Sequence, residues 1–435
     1  MSTAIRTQHI HIIGLGVTEK AVLSDTARQA LMNADVIVGS DRQLLTITDV
    51  LADNQKSPNT IVLPKLSKLL ELIESHSDKI IAVLASGDPL YYGIGRWFTQ
   101  HINREQLTFY PAVSSIQSAC HLLGLSLQDV DVLSLHGRPL EKIRTQLQAH
   151  KKLVLLTDKN SQPQILAKEC AAAGFEQSTL TVCENLGYAQ QQVRCFTVEE
   201  LLQSNDLSFD PLHVTVITVA GEGGVLPEFP GIPDTHYITG AEPGKGMISK
   251  REVRLVIVSL LQPSAQDIIW DIGAGCGGVA VELAYWNESL SVHAIECHTE
   301  RLEYLQANRL RFGVVQNLHI TAGRAPEALT NLPAPNKIFI GGSDGELRTL
   351  LADAWRLLPE GGILVASAVI HSSKEQLSVF AEHLSSSAEH TALIESVEMA
   401  VNRGAIADGK LSYQSKLPVE IFKFTKGLNK VENPS

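Results

Sequence analysis

Short apolar runs alternate with stretches of helical periodicity along almost the whole chain. HIHIIG, DVIVG, NTIVLP, KIIAVLAS, LTFYP, KKLVLLTD, STLTVCEN and HVTVITVAG are rich in Val, Ile and Leu and are bounded by turn-forming residues. Runs that are apolar at nearly every position suit strands covered on both faces. The first half therefore predicts an α/β fold with mainly parallel strands and helices between them. Between Gly221 and Gly240 the rhythm breaks into GEGGVLPEFPGIPDTHYITG, where Gly and Pro crowd and periodicity fades. That break divides the chain into a domain over 1–222, a linker over 223–240 and a domain over 241–435.

The second domain opens with a helix predicted from Ser249 to about Leu261, headed by a capping-box pattern, Ser249-x-x-Glu252. DIIWDIGAG, GGVAVELAYW, SVHAIE, a helix through Leu310, LHITAG, KIFIGG, another helix and GGILVASA then follow. Strands and helices in this order predict a doubly wound, Rossmann-like unit. TALIESVEMAVN and LPVEIFKF read as a closing pair of strands with no helix between them.

Composition narrows the partners. Hydrophobic residues make up 44% of the 435 residues and charged residues 19%, which suits globular domains with real cores. The net charge of −11 argues against a nucleic acid or an anionic membrane as partner. Six cysteines lie scattered without a CxxC pair, so they read as reduced thiols rather than a zinc ribbon or a disulfide framework. MSTAIRTQHIHIIGLG lacks the basic and long apolar regions of an export signal, and no apolar stretch is long enough to span a bilayer. A cytoplasmic protein is expected.

The densest chemistry lies at Asp271-Ile-Gly273-Ala274-Gly275-Cys276-Gly277-Gly278, which follows one strand and opens a helix, with Glu296 ending the next strand. Glycines here let a ligand approach the backbone, and the acidic residue can accept hydrogen bonds from both ribose hydroxyls. A nucleoside cofactor is implied. Gly273, Gly275 and Gly278 also satisfy GxGxxG, so a nicotinamide dinucleotide stays open as the alternative. Asp271 favours S-adenosylmethionine, because a carboxylate repels a pyrophosphate but attracts a sulfonium and an ammonium.

The first half carries quieter signals. Gly14 and Gly16 follow the first strand, Gly87-Asp88-Pro89 and Gly93 follow KIIAVLAS, and Ser114 and Ser115 follow LTFYP. In an open α/β sheet, loops at the carboxyl ends of strands face the ligand crevice, although Gly-Asp-Pro equally makes an ordinary turn. His9 and His11 alternate on what reads as an exposed strand face rather than as a metal pair, and no metal site is expected. His136-Gly137-Arg138-Pro139 closes a further strand.

Taken in order, VLASGDPLYYGIGR, PAVSSIQSA, LSLHGRP and ENLGY resemble the tetrapyrrole methylase family, in its branch that methylates carbon 5 of the corrin macrocycle. GMISKREVR, WDIGAGCGG, GRAPEAL and FIGG-x-x-GEL resemble the class I methyltransferases that methylate carbon 15 and promote loss of the ring C acetate carboxyl. The resemblance spans the whole chain, as in fused bifunctional enzymes of cobalamin biosynthesis. It implies methylation of a precorrin-6-type substrate with one S-adenosylmethionine per half. It places cofactor contacts at Gly14, Gly16, Gly87, Asp88, Pro89, Gly93, Ser114 and Ser115. In the second half it places them at Ser249, Asp271, Gly273, Ala274, Gly275, Cys276, Gly277, Glu296, Gly323, Arg324 and Ala325. Such a substrate bears many carboxylates, so clustered cations should bind it; Arg138, Lys250, Arg251 and Arg254 stand out, with Arg42, Lys142 and Arg324 as further candidates. Catalysis is expected to rest on positioning, with no acid-base triad, and the chain is expected to form a homo-oligomer. A tetrapyrrole carrier without turnover is a further alternative.

Overall fold

A computed structural model describes residues 8–52, 57–204, 206–242, 244–386 and 392–427. The chain divides into two compact units, Met1–Arg138 with Gln148–Glu222, and Pro139–Leu147 with Gly223–Ser435. The stretch 223–240, expected as a linker, thus belongs to the second unit. It stays because Ile232, Asp234 and Tyr237 are buried there.

The first unit holds two five-stranded sheets. In the first, Asn59–Val62, Val36–Gly39, Ile80–Ala85, His9–Gly14 and Leu107–Tyr110 lie side by side in that order, all parallel. Ile10, Ile12, Val36, Val38, Ile81 and Val83 pack on one face while Ile13, Ile37, Ala82 and Leu84 pack on the other. Burial on both faces is why these strands read as continuous apolar runs. His9 and His11 lie on a strand flanked by neighbours on both sides. They are half-buried rather than exposed, with Nε2 of His9 2.8 Å from the Thr108 hydroxyl and Nδ1 of His11 3.0 Å from the Tyr110 hydroxyl.

The second sheet departs from the mainly parallel pattern of the rest of the chain. Its order is Asp131–Ser134, Lys152–Leu156, His213–Thr218, Thr179–Glu184 and Gln192–Thr197, and only the first pair is parallel. The loop 185–191 is too short for a helical crossover, so the strands that it joins must run antiparallel. Gln192–Thr197 escaped the apolar pattern because it is a largely exposed edge strand.

In the second unit a seven-stranded sheet runs Leu318–Ala322, Ser291–Glu296, Ile268–Ile272, Lys337–Ile340, Ile363–Ala368, Val419–Lys426, Ala392–Met399. The first five are parallel; the expected closing pair of strands is present and runs antiparallel. A hairpin, Arg403–Ala407 with Lys410–Gln414, lies between the closing strands in sequence. The helix Gly278–Trp286 is buried over Gly278 to Tyr285, as its apolar composition requires. No described helix is long and apolar enough to cross a membrane.

Candidate functional site

Each unit contains one large cavity at the carboxyl ends of its strands. In the second unit a cavity of about 680 Å³ is lined by Ser249, Lys250, Asp271, Gly273, Ala274, Gly275, Glu296, Gly323, Arg324 and Ala325. Most of the residues expected at this site therefore line one cavity. The turn after Ile268–Ile272 has to be glycine at two places. Gly273 has φ +72°, and a Cβ there would collide with the backbone of Gly342. Gly275 has φ +58°, and its Cβ would stand 2.8 Å from the Met247 carbonyl oxygen. Cys276 and Gly277 do not line the cavity: Cys276 is buried, and Gly277, at φ +86°, packs against Leu305.

Two carboxylates at this turn live in opposite circumstances. Glu296 is buried but well supplied, because Oε2 accepts the Gly275 N–H at 2.8 Å while Oε1 accepts the Cys297 and His298 N–H groups, each at 2.9 Å. Asp271 is 1% exposed and neither of its oxygens has a hydrogen-bond partner. Burial pushes its carboxyl up to about 7; the Ala280 N–H, short of hydrogen-bond geometry, opposes this, and the Glu296 charge adds to it. An unpaired buried carboxylate costs free energy that only a proton or an incoming cation removes. Together with the glycine cradle it fits a cationic nucleoside and disfavours a diphosphate.

The expected cations divide. Lys250 lines the cavity and donates to the Gly244 carbonyl at 2.7 Å. Desolvation lowers its pKa, and the charges of Lys416, Arg403 and Arg254 lower it further against the pull of Asp234. Arg254, expected to hold substrate carboxylates, is instead 0% exposed. It donates to Asp234 at 2.6 Å, to the Ser249 carbonyl at 2.5 Å and to the Ile232 carbonyl, and it stands 3.6 Å from Glu282. It lies over the Tyr237 ring, so its work is to fasten 232–237 to its own helix. Arg251 also stays outside the cavity, at 3.7 Å from Glu252 on the surface. The capping box does not form: Lys250 is the N-cap of Arg251–Leu261, without a side-chain bond, and Glu252 accepts from Arg403 at 2.8 Å. Ser249 keeps its hydroxyl for the cavity.

Several lining residues lay outside the sequence reading. Met247, Val369 and Ile370 are large apolar side chains left exposed at this cavity, and Ser343 and Asp344 extend the loop that the FIGG motif begins. Glu296, Cys297 and His298 bring their ligating atoms within 4.8 Å of one another, but the Glu296 oxygens already accept three backbone donors.

In the first unit a cavity of about 800 Å³ is lined by Gly16, Gly87, Gly93, Ser114, Ser115 and Arg138 among the expected residues. Gly14, Asp88 and Pro89 do not reach it and act behind it. A Cβ at Gly14 would stand 2.8 Å from the Gly87 carbonyl oxygen. Asp88 accepts the Leu90 and Tyr91 N–H groups at 2.8 and 3.0 Å and the Ala112 N–H at 3.3 Å, so it shapes the loop rather than meeting a ligand. Pro89 offers its carbonyl to the Gly95 N–H at 2.8 Å. Ser114 caps the helix Ser115–Leu123 in a capping box with Gln117. The sequence missed Arg96, Tyr91 and Tyr92 on this wall, all within the GDPLYYGIGR stretch.

Comparison with known proteins bears on both units. A family signature described as Tetrapyrrole (Corrin/Porphyrin) Methylases matches residues 9–202, and one described as Precorrin methyltransferase domain matches 243–426. A Sinorhizobium precorrin-6Y C(5,15)-methyltransferase [decarboxylating] is 32% identical over 430 residues, covering 98% of each chain. A cobalt-precorrin-7 C(5)-methyltransferase of Salmonella typhimurium is 30% identical over 43% of this chain and 90% of its own. A probable cobalt-precorrin-6B C(15)-methyltransferase (decarboxylating) of Methanothermobacter thermautotrophicus is 34% identical over 33% of this chain and 72% of its own.

Proposed function

The chain belongs to the precorrin-6Y C(5,15)-methyltransferase (decarboxylating) family, and from that premise we propose that its two cavities are separate active sites, each holding its own S-adenosylmethionine. The reaction is S-adenosylmethionine-dependent methylation of a precorrin with decarboxylation, in cobalamin biosynthesis. The first unit methylates carbon 5. The second methylates carbon 15 and releases the ring C acetate carboxyl. The observation that carries the second site is the Asp271 carboxylate, buried without a partner beside the Gly273–Gly275 turn.

Asp271, Gly273, Gly275 and Glu296 hold the cofactor of the second unit, with Ser249 and Gly323 to Ala325 completing its surroundings. The bound cofactor supplies an electrophilic methyl group. Glu296 keeps one oxygen with a single backbone donor, so it retains capacity to accept from a ribose hydroxyl. Met247, Val369 and Ile370 offer an apolar face to the flat macrocycle, and Lys250 and Arg324 meet its carboxylates. In the first unit, Gly16, Gly87, Gly93, Ser114 and Ser115 receive the cofactor, and Arg42, Arg96 and Arg138 supply positive charge.

Methyl transfer to an electron-rich carbon needs alignment more than proton transfer, and holding two reactants in register supplies on the order of 7–11 kcal/mol. The acetate leaves as carbon dioxide once the methylated ring can accept its electron pair. The residues around it work by positioning it and excluding water. We propose further that the chain acts as a homo-oligomer in the cytoplasm, a state that sedimentation of the purified protein tests. Incubation with isotopically labelled methyl donor, followed by mass spectrometry of the pigment, tests the reaction itself. Two labels and one lost carbon dioxide are expected; a single label would break the assignment of two sites.

A further inference from the structure

One side of the second cavity differs from the rest of its wall. Of the longer stretches that line it, 246–253 brings in Lys250, 271–279 Asp271, 295–301 Glu296, 323–325 Arg324 and 339–345 Asp344. Arg324 and His298 meet Asp344 at 3.2 and 3.1 Å, so several of these charges sit together. The stretch 367–376 runs from the end of Ile363–Ala368 into the helix His371–Ser386. It lines the cavity with Val369, Ile370 and the neutral polar side chains of Ser367, Ser372, Ser373 and Gln376, and among the described residues it brings no charge there.

That neutrality is a property of the fold, because the stretch also contains His371, Lys374 and Glu375. Lys374 turns to Glu398 at 3.5 Å and Glu420 at 3.2 Å, and neither His371 nor Glu375 lines the cavity. The Ser373 and Lys374 N–H groups both donate to the Ile370 carbonyl at 3.1 Å, which leaves less of the helix's amino end to attract an anion. Val369 and Ile370 meanwhile stand 44% and 61% exposed, apolar surface that a ligand would cover.

We propose that Val369 and Ile370 receive the acetate arm that loses its carboxyl, and that the absence of a cation on this side directs decarboxylation to that arm. Carboxylates that stay on the ring meet Lys250 and Arg324 on the charged sides. A cation beside a carboxylate stabilises a charge that fades as carbon dioxide forms, so it would slow the step, whereas an apolar neighbour favours the state in which that charge has passed into the macrocycle. The charges balance within the pigment and its donor. Methyl transfer forms the bond to carbon 15, leaves the donor neutral and places one positive charge on the ring. The bond between the acetate methylene and its carboxyl carbon then breaks, and its electron pair passes into the ring and cancels that charge as carbon dioxide leaves. The proton displaced from carbon 15 is balanced by one taken up at the methylene, which becomes a methyl group.

The inference rests on the reading that this cavity performs the carbon 15 reaction. The test therefore counts methylation and carboxyl loss separately, on the full-length chain. Metal-free precorrin and isotopically labelled S-adenosylmethionine are mixed with the parent, Ile370→Arg or Ile370→Gln. NMR of the pigment counts methyl groups at carbon 15, and mass spectrometry counts carboxyl loss. Ile370 is exposed, so neither variant removes core packing. In Ile370→Arg the rate of carboxyl loss relative to carbon 15 methylation should fall by about 10-fold or more, and methylated pigment that keeps its carboxyl should accumulate. Ile370→Gln replaces the same apolar surface without a charge and should lower that ratio by about threefold at most. A ratio in Ile370→Arg that stays at the parent's value, whether both steps slow or neither does, overturns the inference and leaves this side a support for the ring alone. A ratio that falls as far in Ile370→Gln as in Ile370→Arg overturns it as well. A parent that leaves carbon 15 unmethylated would instead sink the underlying assignment of this cavity.

Discussion

The two cavities differ in the physical means that they offer a methyl donor. In the second unit the decisive groups are charged and sit in one short turn: an unpartnered buried Asp271 and a backbone-supplied Glu296 beside two glycines that admit no side chain. In the first unit the only acidic residue of the expected set, Asp88, is consumed by three backbone N–H groups of its own loops. Uncharged hydroxyls and backbone from several strand ends line that cavity beside Arg42, Arg96 and Arg138, with no buried unpartnered carboxylate among the expected residues. On the proposed reading, a buried carboxylate selects the donor in the second site, and shape with backbone hydrogen bonding selects it in the first. Cofactor binding at the second site should depend on pH and on the Asp271 charge, and cofactor binding at the first should have no such carboxylate to depend on.

The largest effect tests whether the sites are independent. Gly275→Asp puts a branched acidic side chain where the backbone has φ +58° and the Met247 carbonyl leaves no room. Carbon 15 methylation should fall by on the order of 100-fold or more while carbon 5 methylation stays within about twofold. Equal loss of both activities would dissolve the comparison.

Arg254→Met comes next. It removes the one buried cation between Asp234, which keeps Arg403, and Glu282, which keeps the Gly231 and Ile232 N–H groups, and should cost about 3–5 kcal/mol in unfolding experiments. A cost below about 1 kcal/mol would contradict a buried structural role for Arg254 and return it to the substrate-carboxylate role expected from the sequence.

Asp271→Asn sharpens the charge argument. Because the folded carboxyl sits near 7 and the ordinary value is 3.8, the folded chain keeps a proton between those values that the unfolded chain has lost. The stability from this group is present in acid and lost as the pH rises through about 7. The asparagine variant should therefore gain on the order of a few kcal/mol over the parent at pH 8, and lose that advantage toward pH 4. Cofactor binding runs the other way. A cation favours the ionised carboxylate, so affinity of the second unit should strengthen from pH 6 to pH 8, and Asp271→Asn should flatten that slope and weaken binding by about 10-fold. The first unit should show no such slope.

These contrasts also explain what could be read from the letters. The second site was legible because Asp271 to Gly278 is contiguous and the strand carrying Glu296 follows directly, so spacing alone reports geometry. Arg254 misled because its partner Asp234 lies on a stretch that reads as linker, and nothing local reveals that the two are buried together. The antiparallel pairs in the second sheet of the first unit could not be read from apolar content; the short 185–191 connection was the informative feature. Asp344 was invisible for a further reason: its partners come from two other loops, and only the fold brings them together.

Two small effects complete the ranking. Ser114→Ala removes the N-cap of Ser115–Leu123 and should cost about 1 kcal/mol of stability, with carbon 5 activity reduced only a few-fold. A total loss of that activity would mean that the hydroxyl meets the donor directly. Arg251→Ala breaks only a surface pair and should change stability by less than about 1 kcal/mol and carbon 15 methylation by less than about twofold.

Calorimetric titration of the full-length chain with S-adenosylhomocysteine, at pH 8 and for the parent beside Asp271→Asn, addresses the whole account at once. Two binding events per chain are predicted, with only one of them weakened by the substitution. One event per chain, or two that weaken together, would contradict it.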